Sequence, residues 1–127
     1  MKINIKTCII LYLMIMPFTS CTNRVEENML PGKYGYNRNN YLDTIEVFQD
    51  NKYLHYFILT NGEKKENTGT WKFVSKNQEI IFNDFIFFNE KGRGVAGLWI
   101  SRVKKTSKGE ILLIYSKENS IYYLKSE

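Results

Sequence analysis

The chain has 127 residues, with 18 Lys and Arg against 13 Asp and Glu for a formal charge of +5, and only two Cys and one His. That length suits one domain rather than two, and so few thiols and imidazoles exclude a disulfide-stapled scaffold or a cysteine-rich metal site. The charge is mild and is not gathered with stacking aromatics on one stretch, which excludes a typical nucleic-acid protein.

At the start, Lys2 and Lys6 precede the apolar run Cys8-Ile9-Ile10-Leu11-Tyr12-Leu13-Met14-Ile15-Met16, and no acidic residue occurs before Glu26. This is the order of a secretory signal peptide, read over residues 1–20. A membrane-crossing helix needs about 20 apolar residues; the run from Cys8 to Phe18 is roughly half that, and Pro17 interrupts it. Phe18-Thr19-Ser20-Cys21 resembles the lipobox of bacterial lipoproteins, with Phe18 where Leu is usual. The resemblance implies that the Cys21 thiol takes a diacylglycerol thioether and heads the exported protein. Cys8 then leaves with the leader as a small hydrophobe of its core. Lys2 and Lys6 leave too, which takes the charge from +5 to +3 over residues 21–127.

Residues 21–30 are polar, carry Glu26 and Glu27 and show neither a helical nor an alternating apolar period. They read as a lipidated tether, held lastingly because each buried acyl methylene contributes about 0.8 kcal/mol. Pro31-Gly32 opens the folded part, residues 31–127, in which no stretch has a convincing helical period. Strands are predicted at Lys33 to Arg38, Tyr41 to Phe48, Lys52 to Thr60, Asn67 to Ser75, Glu79 to Phe82, Phe85 to Phe88, Val95 to Lys104, Glu110 to Ser116 and Ser120 to Lys125. Short connections such as Gln49-Asp50-Asn51, Asn61-Gly62-Glu63, Lys76-Asn77, Gly92-Arg93-Gly94 and Ser107-Lys108-Gly109 carry turn residues, and loops this brief join antiparallel neighbours. The fold class is all-β, an antiparallel up-and-down meander forming a small barrel or a two-layer sheet.

Alternation assigns faces to part of this meander. Ile45 and Val47 oppose Thr44 and Glu46, Trp71 and Phe73 oppose Thr70 and Lys72, and Ile80 and Phe82 oppose Glu79. Residues 53–59 and 111–115 are apolar on both faces, so their second faces must meet something. With no disulfide available, the core must come from aromatics, and 17 of the 19 lie beyond the leader. Each buried ring removes about 150 to 250 Å² from water.

Pro31-Gly32-Lys33-Tyr34, then Thr44 to Val47, Tyr53 and, after the Gly62 turn, Gly69-Thr70-Trp71 look like the opening of bacterial lipocalin-like lipoproteins; Ile111 to Tyr115, Asn119 and Ile121-Tyr122-Tyr123 are similar to their ending. The resemblance implies a barrel that binds a small apolar molecule or another protein, with a Gly-x-aromatic unit plugging one end and no catalytic residue to carry over. The Trp of that unit falls halfway along this chain, with Tyr34 at the start.

Other signals take plainer readings. Gly92-Arg93-Gly94-Val95-Ala96-Gly97 matches a dinucleotide fingerprint, but strand rather than helix follows it, so it reads as a loop that kinks a sheet. His55 shares parity with Tyr53 and Phe57 and reads as a packed or edge strand histidine; no metal or other cofactor is expected. Asp43 and Glu46 differ in parity and cannot form an acid pair, and with Asp50 they read as solvated carboxylates. Lys104-Lys105 with Lys108, backed by Arg102 and Arg93, is the densest cationic cluster and reads as a hairpin tip, or as a dock for lipid phosphate or an acidic partner. Phe85-Ile86-Phe87-Phe88 reads as core or as a patch that grips a partner.

The function expected from these residues is that of a non-enzymatic, lipid-anchored bacterial envelope protein, with the outer membrane favoured. It binds an apolar small molecule or an envelope protein through Tyr53, Tyr56, Phe57, Trp71 and Trp99. The alternative is an inhibitor or immunity-type protein that blocks a toxin or hydrolase.

Overall fold

The computed structural model describes residues 23–37, 42–89 and 91–126. Cys21 and the leader lie outside them. The described chain is one eight-stranded, all-antiparallel, closed up-and-down barrel: β1 Gly32–Tyr36, β2 Leu42–Val47, β3 Lys52–Ile58, β4 Lys64–Val74, β5 Glu79–Phe88, β6 Gly94–Lys105, β7 Ile111–Ser116 and β8 Ile121–Lys125. Each strand pairs with its sequence neighbour, and β1 closes on β8 through Tyr34 opposite Lys125 and Tyr36 opposite Tyr123. Closure joins the two outermost strands, and unpaired strand backbone remains where the β4–β5 ladder stops short above Trp71 and Phe82.

Two predicted strands are one. The runs at 79–82 and 85–88 form the single strand β5, and its register against β6 shifts between Phe82 and Phe85. Asn83-Asp84 is therefore a bulge, with Asp84 in the left-handed region at φ 55°. The bulge restores parity so that Phe82 and Phe85 both turn inward, each almost fully buried. β4 begins at Lys64, earlier than predicted, because Lys64 to Asn67 is polar yet is held by the β3 ladder from Ile58 to His55.

Faces follow the alternation. Tyr34, Ile45, Val47, Tyr53, Trp71, Ile80, Phe82, Trp99, Val103, Leu113 and Tyr123 fill the interior as one core. On the doubly apolar strands, the outer face meets less than the sequence suggests: Leu54, Tyr56, Leu112 and Ile114 are only half-buried. Tyr56 is covered by Lys64, whose Nζ sits 4.7 Å from the ring centroid, and Leu112 by its cross-strand neighbour Leu124.

The segment read as a tether is part of the fold from Arg24 onward. Val25 and Leu30 are buried in the core and close one end of the barrel, with a 3-10 turn over Glu27–Met29 between them. Gln78, in the left-handed region at φ 53°, clamps Val25 on both sides: its Oε1 accepts from the Val25 N–H (2.7 Å) and its Nε2 donates to the Val25 carbonyl (3.1 Å). Arg24 donates to the Ser75 carbonyl, Tyr34 to that of Leu30 (2.6 Å) and Lys125 to that of Met29. Two apolar residues five positions apart fit neither period, which is why periodicity passes over them.

One glycine is dictated by close approach. A Cβ on Gly69 would lie 2.4 Å from the Asn83 carbonyl oxygen and 2.7 Å from the Tyr53 hydroxyl. Gly69→Ala should therefore destabilise the barrel by about 1 to 3 kcal/mol, as overpacking against backbone does. Urea midpoints would check this, and the neutral comparison is Gly35→Ala, where a Cβ meets nothing within 4 Å.

Candidate functional site

Opposite the N-terminal plug, the barrel ends in the tops of the strands. There β4 and β5 part company. Their ladder runs only from Trp71–Phe82 to Val74–Glu79, while β3–β4 continues up to Ile58–Lys64 and β5–β6 to Phe88–Gly94. The gap is bridged by side chains. Asn67 donates from Nδ2 to the Asp84 carbonyl (2.8 Å) and accepts the Ile86 N–H at Oδ1 (3.4 Å), and Tyr53 donates its hydroxyl to the Asn83 carbonyl (2.6 Å). Behind the amide, Phe85 lies flat on the His55 ring, with centroids 4.4 Å apart and planes at 14°. Phe88 closes over His55 and Phe57 at 5.3 and 5.9 Å.

His55 is the centre of a buried polar chain. Its Nδ1 lies 3.2 Å from Asn67 Oδ1 and its Nε2 2.8 Å from Asp43 Oδ1, while Asp43 Oδ2 accepts the Tyr123 hydroxyl (2.9 Å). Because Asn67 Nδ2 faces a carbonyl, the amide must present its oxygen to His55. Both ring nitrogens thus meet oxygen. His55 is 1% exposed and the Asp43 side chain 12%, so of the two the carboxylate is the one that solvent reaches.

Around that carboxylate stand rings. Tyr123 packs against Tyr36 (5.1 Å) and Trp99 (5.6 Å), and Tyr115 touches Tyr36, Phe87 and Trp99 at 6.0 to 6.4 Å. Tyr36 and Phe87 are half-buried and Tyr115 is 46% exposed, so this ring cluster is wet on their side and dry at Trp99 and Tyr123. Burial, and after it the neighbouring Asp43 charge, push the Tyr123 hydroxyl well above the ordinary tyrosine range; burial likewise raises Tyr53.

No family model, curated protein or solved structure matches the chain. What the site does must be read from its own chemistry.

Of the five aromatics expected to touch a ligand, Tyr53, Phe57 and Trp99 face the interior, and Trp99 packs on Phe87, Tyr115 and Tyr123 of this cluster. Trp71 is at the opposite end, donating its indole N–H to the Phe48 carbonyl (2.8 Å) beneath the plug. Tyr56 points outward. The predicted packed His55 is packed, but it has a charged partner that sequence reading placed in solvent. Asp43 faces inward with Ile45 and Val47, and the parity that separates it from Glu46 already put it on the apolar face. Glu46 lies outside, 3.3 Å from Lys33. Asp50 is exposed in the β2–β3 turn.

Removing the carboxylate should loosen the whole chain of contacts. Asp43→Ala leaves the His55 Nε2 and the Tyr123 hydroxyl without their acceptor, at about 2 to 3 kcal/mol, less than a fully buried pair because water reaches the position. The loss would show in the denaturation midpoint, whereas Glu46→Ala should change it by no more than about 0.5 kcal/mol, since that ion pair is exposed.

Proposed function

We propose that the chain is a non-enzymatic, lipid-anchored envelope protein with a lipocalin-like barrel, and that a small, flat, largely apolar ligand binds at the end opposite the N-terminal plug. The observation that carries this is the cluster of Tyr36, Phe87, Trp99, Tyr115 and Tyr123 beside one partly exposed carboxylate, Asp43, which Tyr123 holds. Rings on the wall supply apolar contact, and the Asp43–Tyr123 pair offers a polar group one oriented hydrogen bond, the usual division of labour in a small-molecule site. The middle of the barrel, occupied by Phe82, Phe85 and Trp99, supports a shallow cup in place of a deep calyx. The anchor rests on the lipobox at Cys21 and the leader before it.

The test uses Trp99 as its own reporter. In a Trp71→Phe protein, Trp99 is the single tryptophan, and titration with N-phenyl-1-naphthylamine should quench its emission saturably. Tyr115→Ala with Phe87→Ala should abolish the quenching. Unchanged emission across a panel of flat aromatic amines and fatty acids would reject the ligand. One observation favours the inhibitor reading as second choice: an open groove of about 450 Å³ at the closed end, lined by Pro31, Lys33, Glu46, Phe48 and Gln49, with Phe48 42% exposed. A stoichiometric envelope protein captured by the native chain and released by Phe48→Asp would select it.

A further inference from the structure

The outer face of β6 is divided along its length. Trp99, Ser101 and Val103 point into the barrel and are buried, so Leu98, Ile100, Arg102 and Lys104 form one outward row. Leu98 is 59% and Ile100 52% exposed, a large apolar area to leave in water. Arg102 and Lys104 continue the row as exposed cations. On the next strands Ile81 sits opposite Ile100 and Lys72 opposite Ile81, which extends the apolar row and adds a third cation, while Glu79 sits opposite Arg102. Among the described residues none of Lys72, Arg102 and Lys104 forms a salt bridge, although ion pairs do form on β1–β2 and along β4.

An apolar patch continued by unpaired cations is the chemistry of a surface that rests on anionic lipid: the hydrocarbon side chains enter the headgroup layer and the cations meet phosphate. The path of the chain points the same way. Arg24 is tied to Ser75 in the β4–β5 turn, beside exposed Lys76. Cys21 is three residues earlier in the sequence, a span of at most about 10 Å of chain from Arg24. A docked N-terminal segment removes the slack that a free tether would give.

The geometry points to the β6 face, flanked by Ile81 and Lys72, as the surface that lies on an anionic bilayer, with the barrel on its side. That the bilayer is close at hand rests on the anchored reading above; the choice of face rests on exposure and charge. Native, cell-derived protein in phosphatidylglycerol vesicles, probed with an amine-reactive label, tests it. Lys72 and Lys104 should label at least fivefold more slowly than in phosphatidylcholine vesicles, while Lys33, on β1 across the barrel, labels equally in both. Leu98→Ser with Ile100→Ser, or Arg102→Glu with Lys104→Glu, should remove the difference at Lys72. Equal labelling of Lys72 and Lys104 in the two lipids, or protection centred on Lys33, overturns the assignment. So does protection that appears only on adding an acidic envelope protein. Intact mass reports the acyl group separately: a chain without diacylglycerol that keeps this labelling pattern retains the face and loses the anchor.

Discussion

Tyr34→Ala will destabilise the barrel by about 3 to 5 kcal/mol, the largest effect expected of any single substitution discussed for this chain. Tyr34 is fully buried, and its ring stands in the core beside Leu30 and Val25 at the plugged end. Truncation opens a cavity there and also leaves the Leu30 carbonyl without the hydroxyl that it accepts at 2.6 Å. The two losses can be separated. Tyr34→Phe keeps the ring and removes only the hydrogen bond, so it should cost about 1 kcal/mol, or somewhat more if the carbonyl stays dry. Denaturant midpoints for the pair give the energies. Hydrogen exchange gives the place: in Tyr34→Ala the Val25 and Leu30 amides should lose protection before the strands do.

Alkali will unfold the protein steeply, with the loss beginning near pH 10. Burial raises the hydroxyls of both Tyr34 and Tyr123 in the folded state, and the Asp43 charge raises Tyr123 further. An unfolded tyrosine ionises near pH 10. Below that, both states keep their protons and the stability is fully present. Above it only the unfolded state releases them, so each of the two tyrosines costs about 1.4 kcal/mol per pH unit, roughly 2.7 together, until pH passes the raised folded values. Tyr53, also raised, acts in the same direction. Denaturant melts between pH 9 and 12 check this. Tyr123→Phe should cut the slope by about one proton per molecule, and a profile that stays flat to pH 12 would contradict the burial of these hydroxyls.

Much of this fold was legible in the residues. Alternation at Ile45 and Val47, Trp71 and Phe73, and Ile80 and Phe82 gave the correct inward faces, and turns around Asn51, Gly62, Gly92 and Gly109 appear where their positive φ angles need them. Closure was not legible, since the pairing of Tyr36 with Tyr123 joins residues far apart in sequence and leaves no local mark. The site was legible only in part. Asp43 carried its signal in parity, an acid on the apolar face of its strand, but a lone carboxylate near a turn is ordinarily solvated. Its partners His55 and Tyr123 come from two other strands, and nothing along the chain puts the three together. Asn67 and Gln78 gave no signal at all, because a side-chain amide that stands in for a missing strand neighbour looks like any surface amide until the backbone around it is known.

That substitution at Asn67 gives the barrel a clasp. Elsewhere its hoop is held by repeated backbone ladders, whereas between β4 and β5 above Trp71 it is fastened by side chains: the Asn67 amide, the Tyr53 hydroxyl and, on the outer face, Asn83 Nδ2 donating to the Thr70 hydroxyl. A hoop yields first at its clasp, so the wall should part there in fluctuations too small to unfold the rest. Anything that reaches the ring-lined interior sideways would pass between Asp84 and Asn67, and widening that slit with Asn67→Ala should speed entry and exit alike while the plugged end stays shut.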